Sequence, residues 1–116
     1  MAKEGFYSVT FTGYADYGFG IIILDTGVVI GADVGGVLYD GTYDFNHQTE
    51  MLDVNVTITV PPGIPLVTGT PPQTTEYKFR IKASLPRTLG DETPITIDTP
   101  LGPVNIVFKK IRDFPS

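Results

Sequence analysis

Few side chains in this chain are suited to covalent chemistry. There is no cysteine, and His47 is the one histidine. Without cysteine there is no disulfide, no thiolate metal site and no thiol nucleophile. One histidine, in the polar stretch 44–50 with no Ser or Asp at nucleophile spacing, does not build the usual metal clusters. No metal and no cofactor is expected. Carboxylate pairs such as Asp91-Glu92 fall in turn-like sequence and read as solvated. The remaining candidate is Asp25, in Asp25-Thr26-Gly27 after Ile-Ile-Ile-Leu. Two such aspartates held at ~3 Å cannot both ionise, and the shared proton supplies an acid and a base.

Two apolar residues followed by Asp-Thr-Gly match the signature of the dimeric aspartic proteases. The match covers those letters and then fails. Val28 stands where those enzymes place a small Ala or Ser. The C-terminal Val104-Asn-Ile-Val-Phe-Lys-Lys110 reads as a strand rather than as their Gly-containing stretch and helix. Asp-x-Gly is also ordinary hairpin chemistry, with Gly27 free to take positive φ. The expectation is a turn in a protein that is not an enzyme. A dimeric aspartic protease is the remote alternative.

The elements that position these residues are all strands. Thirteen glycines and ten prolines suit a β protein rich in turns and argue against long helices. Tyr7, Val9 and Phe11 alternate with Ser8, Thr10 and Thr12, which predicts a strand over 6–12 with one buried face. Residues 14–17 read as a turn. An unbroken apolar run predicts a second strand over 19–24, and 28–33 and 37–43 predict two more. The polar residues 44–50 read as an exposed loop. Leu52, Val54, Val56, Ile58 and Val60 alternate with polar residues, the clearest strand in the chain. Further strands are expected over 76–83, 95–98 and 104–111, with a loop over 85–93. Residues 61–75 carry five prolines, which forbid a helix or a central strand. A loop this long is often a lid or a contact surface.

Eight short strands with regular turn signals predict an all-β fold, an eight-stranded, mostly antiparallel barrel. At 116 residues, with no boundary between two cores, residues 1–116 form a single domain. An apolar content of 41% with regular alternation is enough to fold. The interior is expected to hold Tyr7, Val9, Phe11, Leu52, Val54, Val56, Ile58, Tyr77, Phe79, Ile81, Ile106 and Phe108. The same pattern serves a packed core and a cavity for a small apolar ligand, because alternation reports direction and not volume. In the second strand, Phe19, Ile21 and Ile23 point opposite to Ile22 and Leu24. This predicts burial on both faces, or a homodimer formed through Phe19, Ile21 and Ile23.

Charge narrows the partners. Residues 1–60 carry one Lys and eight acids, and residues 61–116 carry seven Lys/Arg and five acids. A net charge of −5 repels phosphate backbones, so direct nucleic-acid binding is not expected. No stretch approaches the ~18 apolar residues of a membrane helix, and no signal-peptide segment precedes the first strand, so a cytoplasmic protein is expected. The acidic half reads as a solvated face or as a patch for a basic partner.

Gly5-x-Tyr7-x-Val9-x-Phe11, Gly18-x-Gly20, Leu24-x-x-Gly27, Gly31-x-Asp33 and Tyr39-x-Gly41-x-Tyr43 together resemble the lipocalin-like negative regulators of type III secretion, the GrlR-like family. The resemblance covers roughly residues 5–60. It implies a bacterial protein with a calycin-type, lipocalin-like barrel, often dimeric. It also implies a negative regulator that acts by protein–protein interaction, restraining a transcriptional activator. The family's acidic contact loop corresponds here to Asp44, Asn46, His47, Gln48 and Glu50, of which Asp44 and Glu50 are acidic. The leading expectation for function is such a non-enzymatic regulator. The alternative is a carrier or sensor of a small apolar ligand held inside the barrel.

Overall fold

A computed structural model describes residues 4–14, 17–92 and 94–115. Its eight strands are β1 (Gly5–Thr12), β2 (Tyr17–Asp25), β3 (Val28–Asp33), β4 (Leu38–Asn46), β5 (Met51–Val60), β6 (Tyr77–Pro86), β7 (Ile95–Thr99) and β8 (Gly102–Arg112). They form one antiparallel sheet in the order β6-β5-β4-β3-β2-β1-β8-β7. The sheet curls into a nearly closed barrel. Its two edges, β6 and β7, approach each other without a hydrogen-bonded ladder. The described residues contain no helix.

Register carries the alternation of β1 around the barrel. Phe11 pairs with Gly18 and Val9 with Gly20. Gly20 pairs with Asp33 and Ile22 with Gly31. Gly31 pairs with Tyr39 and Val29 with Gly41. Val56 then pairs with Gly41 and with Ile81. Residues facing each other across a ladder share a face, so these side chains all point inward.

Four of the inward positions are glycines: Gly18, Gly20, Gly31 and Gly41. A methyl group at Gly20 would lie 3.1 Å from Asp33 Cβ, and one at Gly31 would lie 2.7 Å from Ile22 Cδ1. At Gly18 it would meet the Phe11 ring, and at Gly41 the β5 backbone at Asn55 and Val56. Neighbouring groups occupy the room these glycines leave, which lets the wall bend tightly.

The two ends differ. At one end Tyr7 (fully buried), Leu24, Val29, Leu52, Leu85 and Phe108 pack into a solid cluster. The chain over residues 87–92 crosses beneath it, with Gly90 at φ 103 lying against the edge of the Tyr7 ring. Glu92 N–H donates to Phe108 O at 3.2 Å and pins that crossing to β8. Lys110 stands on the inward side here. It donates to Glu4 O at 2.9 Å, pairs with Asp113 and sits 5.7 Å from the centre of the Tyr7 ring. At the other end Val37, Ile58 and Val60 are buried under Ile64 and Leu66 of the proline-rich connection.

Three local expectations are corrected. Residues 44–46 belong to β4 instead of a loop, because Asp44 pairs with Asp53, Phe45 with Leu52 and Asn46 with Met51. The turn shrinks to residues 47–50. The Asn46 carboxamide oxygen accepts from Gln48 N–H and Thr49 N–H, while Glu50 takes φ 58. Leu85 is a buried residue of β6, paired with Leu52, instead of the start of a loop. Tyr17 begins β2 instead of ending a turn; residues 15 and 16 of that expected turn lie outside the described residues. Polar composition misled in the first case. Side-chain caps stabilise a short turn without lengthening the loop.

Candidate ligand site

The middle of the barrel is hollow. A cavity of about 450 Å³ lies between the solid cluster and the proline-rich connection. That volume falls within the roughly 300–1,000 Å³ range of small-molecule sites. Ten of the twelve expected interior residues border it: Val9, Phe11, Leu52, Val54, Val56, Ile58, Phe79, Ile81, Ile106 and Phe108. Tyr7 and Tyr77 do not. Tyr7 is packed under the crossing at the solid end. Tyr77 packs with Val60, beside the buried Val37 and Ile58. The Tyr77 hydroxyl is buried without a protein hydrogen-bond partner, and burial raises its pKa.

The proline-rich connection is a lid. Gly63 N–H donates to Gln73 O at 2.9 Å, Leu66 N–H to Thr70 O at 3.0 Å, and Gly69 N–H to Leu66 O at 3.0 Å. These bonds fold it into a narrow strap with its tip at 66–70. Ile64, Leu66 and Val67 border the cavity. The tip packs on Gly13, where a methyl group would collide with the Val67 carbonyl. Prolines stiffen the arms of the strap, so its ordering is partly prepaid in the unfolded chain.

Polar groups gather at the lid end, and composition did not single them out. The Asp33 carboxylate accepts from Gly35 N–H at 2.9 Å and Val37 N–H at 3.1 Å through Oδ1, and from the Tyr39 hydroxyl at 2.9 Å through Oδ2. Burial first, then the Asp33 charge and hydrogen bond, raise the Tyr39 pKa far above its ordinary value. Phe11 meets Tyr39 edge to face with ring centres 6.4 Å apart. The signal was present in the sequence: Val29, Gly31 and Asp33 alternate, so an acid ends an inward row.

The other predicted positions lie on the outer surface, and of these Phe19 also borders the rim of the cavity. Phe19 and Ile21 are 49% and 42% exposed, and Ile23 is half-buried. Across the register Ile21 faces Ala32, Ile23 faces Ile30, and Ala32 faces Leu38. The result is an apolar stripe on the outer face of β2, β3 and β4. Asp44, His47, Gln48 and Glu50 are exposed, and Asn46 is half-buried. Glu50 pairs with Arg87 at 3.6 Å, Asn46 Nδ2 donates to Asp53 at 3.0 Å, and His47 meets the Phe45 ring edge-on. These groups spend part of their polarity on the hairpin itself.

Asp25-Thr26-Gly27 forms the β2–β3 hairpin. Thr26 at φ 49 and Gly27 at φ 80 are the two central residues, the geometry that matches the twist of paired strands. Thr26 Oγ1 donates to Asp25 at 3.0 Å, and Thr26 N–H donates to Glu4 at 2.8 Å. Asp25 is exposed at the solid end, away from the cavity. The described residues contain no group of three or more His, Cys, Asp or Glu placed to hold a metal, and no helix long and apolar enough to cross a membrane. No protein-family model matches the chain, and no curated protein is significantly similar to it in sequence.

Proposed function

We propose that this protein binds a small apolar ligand inside its barrel, as a carrier or sensor and not as an enzyme. One observation carries the reading: a 450 Å³ space whose bordering side chains are overwhelmingly aliphatic or aromatic. Closing such a space to nothing would leave dispersion contacts unmade along its whole lining. The lid supports the same reading, since a strap across one end offers a way in without opening the sheet. Native mass spectrometry of protein purified under mild conditions tests it, alongside titration with a neutral fluorescent naphthyl probe. A co-purifying apolar molecule, or probe fluorescence displaced by one, is the expected result. A cavity that takes up no probe overturns it.

A second reading rests on the outer stripe. Contiguous exposed apolar side chains mark interaction surfaces. Phe19, Ile21, Ile30 and Leu38 form such a row, and Asp40 pairs with Ile30 beside it. We propose that this face joins two copies of the chain. The resemblance to the lipocalin-like regulators supports extending protein contact to a regulated partner, such as a transcriptional activator, in a bacterial cytoplasm. The two readings are compatible, because one uses the inside of the wall and the other the outside.

A further inference from the structure

From the lid end of the cavity, we infer that the ligand is an apolar amine, with its ammonium seated on Asp33. The inference rests on the ligand-binding reading and adds the chemistry of the ligand's head.

Asp33 is the one charged residue among the described residues that border the cavity; no Lys, Arg or His does so. None of the ion pairs among the described residues involves Asp33. Its three hydrogen-bond donors are the Gly35 and Val37 amides and the Tyr39 phenol, and all three are neutral. A carboxylate offers about four acceptor positions, so Oδ2 retains one. The half-buried charge is thus held by neutral protein dipoles, with no ion-pair partner among the described residues, at the end of an apolar space.

The surroundings suit a cation. Phe11 and Tyr39 both border the cavity beside Asp33, with their rings edge to face. Aromatic faces attract ammonium groups, and the attraction grows when water is excluded. A carboxylate flanked by aromatic rings supplies both the counter-charge and the apolar contact that an alkylammonium needs. The opposite head is disfavoured. A fatty-acid carboxylate in this cavity would find no basic group and would meet Asp33 as a like charge. Lys110, which shares the inward side with Tyr7, is at the solid end, engaged with Glu4, Asp113 and the Tyr7 ring.

Isothermal titration with decylamine, decanol and decanoate, at monomeric concentrations and low salt, tests the inference on the intact protein. The three share one tail and differ in the head. Decylamine should bind about tenfold or more tighter than decanol, the factor expected of a charge-assisted hydrogen bond, and decanoate weakest. Asp33→Asn keeps an acceptor oxygen for the Gly35 and Val37 amides, and it should level decylamine with decanol. Tyr39→Phe keeps the carboxylate and should preserve the preference for the amine. Should Asp33→Asn fail to fold, the ranking on the native chain and on Tyr39→Phe decides. Decanol binding as tightly as decylamine, or decanoate binding tightest, overturns the amine assignment and leaves the cavity reading intact. If none of the three binds and the neutral naphthyl probe also fails, the cavity reading falls with it.

Discussion

The hydroxyl of Tyr39 donates to Asp33 Oδ2 at 2.9 Å, joining the end of β3 to β4 at the lid end of the cavity. The bond ties a turn to the wall of a site. Asp33 Oδ1 already holds the amides that follow it, so one carboxylate organises the turn over 34–37 and fixes the Tyr39 ring beside Phe11. Capping the turn and bordering the cavity are compatible roles for one acidic side chain.

Alkaline stability should report this bond. Tyr39, Tyr7 and Tyr77 all have pKa values raised above the ordinary 10, burial being the largest cause in each. The unfolded chain releases these protons near pH 10, while the folded chain keeps them to higher pH. Their contribution is therefore fully present below pH 10 and is lost as pH rises through the folded values. Denaturant midpoints should hold steady from neutral pH to about 9 and fall beyond 10. Tyr39→Phe should flatten that fall while lowering stability at neutral pH by about 1–2 kcal/mol. A midpoint for the native chain that is unchanged through pH 11 would contradict the assignment.

Truncations should separate the packed residues from the cavity wall. Val60 is fully buried in the cluster with Val37 and Ile58 and does not border the cavity, so Val60→Ala should cost about 2–4 kcal/mol. Val56 borders existing space, so Val56→Ala enlarges a cavity instead of creating one and should cost about 1 kcal/mol. Val56→Phe should be tolerated for the same reason and should weaken ligand binding. Equal losses for the two alanine variants in urea titrations would mean that the wall is as tightly packed as that cluster.

At Gly41 the reverse holds. A methyl group there meets the backbone of Asn55 and Val56, which cannot rotate away. Gly41→Ala should destabilise by about 1–3 kcal/mol, as overpacking does. Thermal melts compare it with Gly63→Ala, where nothing lies within 4 Å and the strain of φ 81 acts alone.

Asp25→Asn should leave the melting temperature and ligand binding unchanged, because the side chain sits exposed in a hairpin and its partner, Thr26 Oγ1, can donate to an amide oxygen as well. Peptidase assays at acidic and neutral pH should be blank for both proteins. Pepstatin-sensitive cleavage that disappears in Asp25→Asn would promote the protease alternative.

Association is measured by light scattering at micromolar concentration. The native chain should give a mass near twice 12.6 kDa, and Ile21→Lys with Ile30→Lys should return it to a monomer without loss of folded signal. Both residues are exposed on neighbouring strands of the outer stripe, so charge there disturbs contact between copies and not the core. A native chain that stays at 12.6 kDa throughout would retire the interface.

The barrel was legible because period-two alternation is local. Leu52 to Val60 announces its inward face through neighbours two residues away, and no distant partner can reverse that without exposing the whole row. The Asp-Thr-Gly turn was legible for a similar reason: two central residues with positive φ need little beyond their own backbone. The candidate site was half legible. Its aliphatic wall followed from alternation. Its polar end did not, because Asp33 reads as a turn residue until Tyr39, six positions on, is folded back beside it.

By itself the sequence determined an all-β chain of eight strands, the direction of most of its side chains, a stiff connection over 61–75 and the absence of thiol chemistry. Only the tertiary structure decided that the barrel is hollow in the middle and solid at one end. Inward direction is a property of single strands, but enclosed volume depends on how sharply the wall bends at Gly18, Gly20, Gly31 and Gly41 and on what crosses the ends. The crossing at Gly90 packs on the fully buried Tyr7 and closes one end, while the strap through Leu66 and Val67 roofs the cavity at the other, beside Val37 and Ile58. That difference is set by contacts between residues tens of positions apart, and no local pattern encodes it.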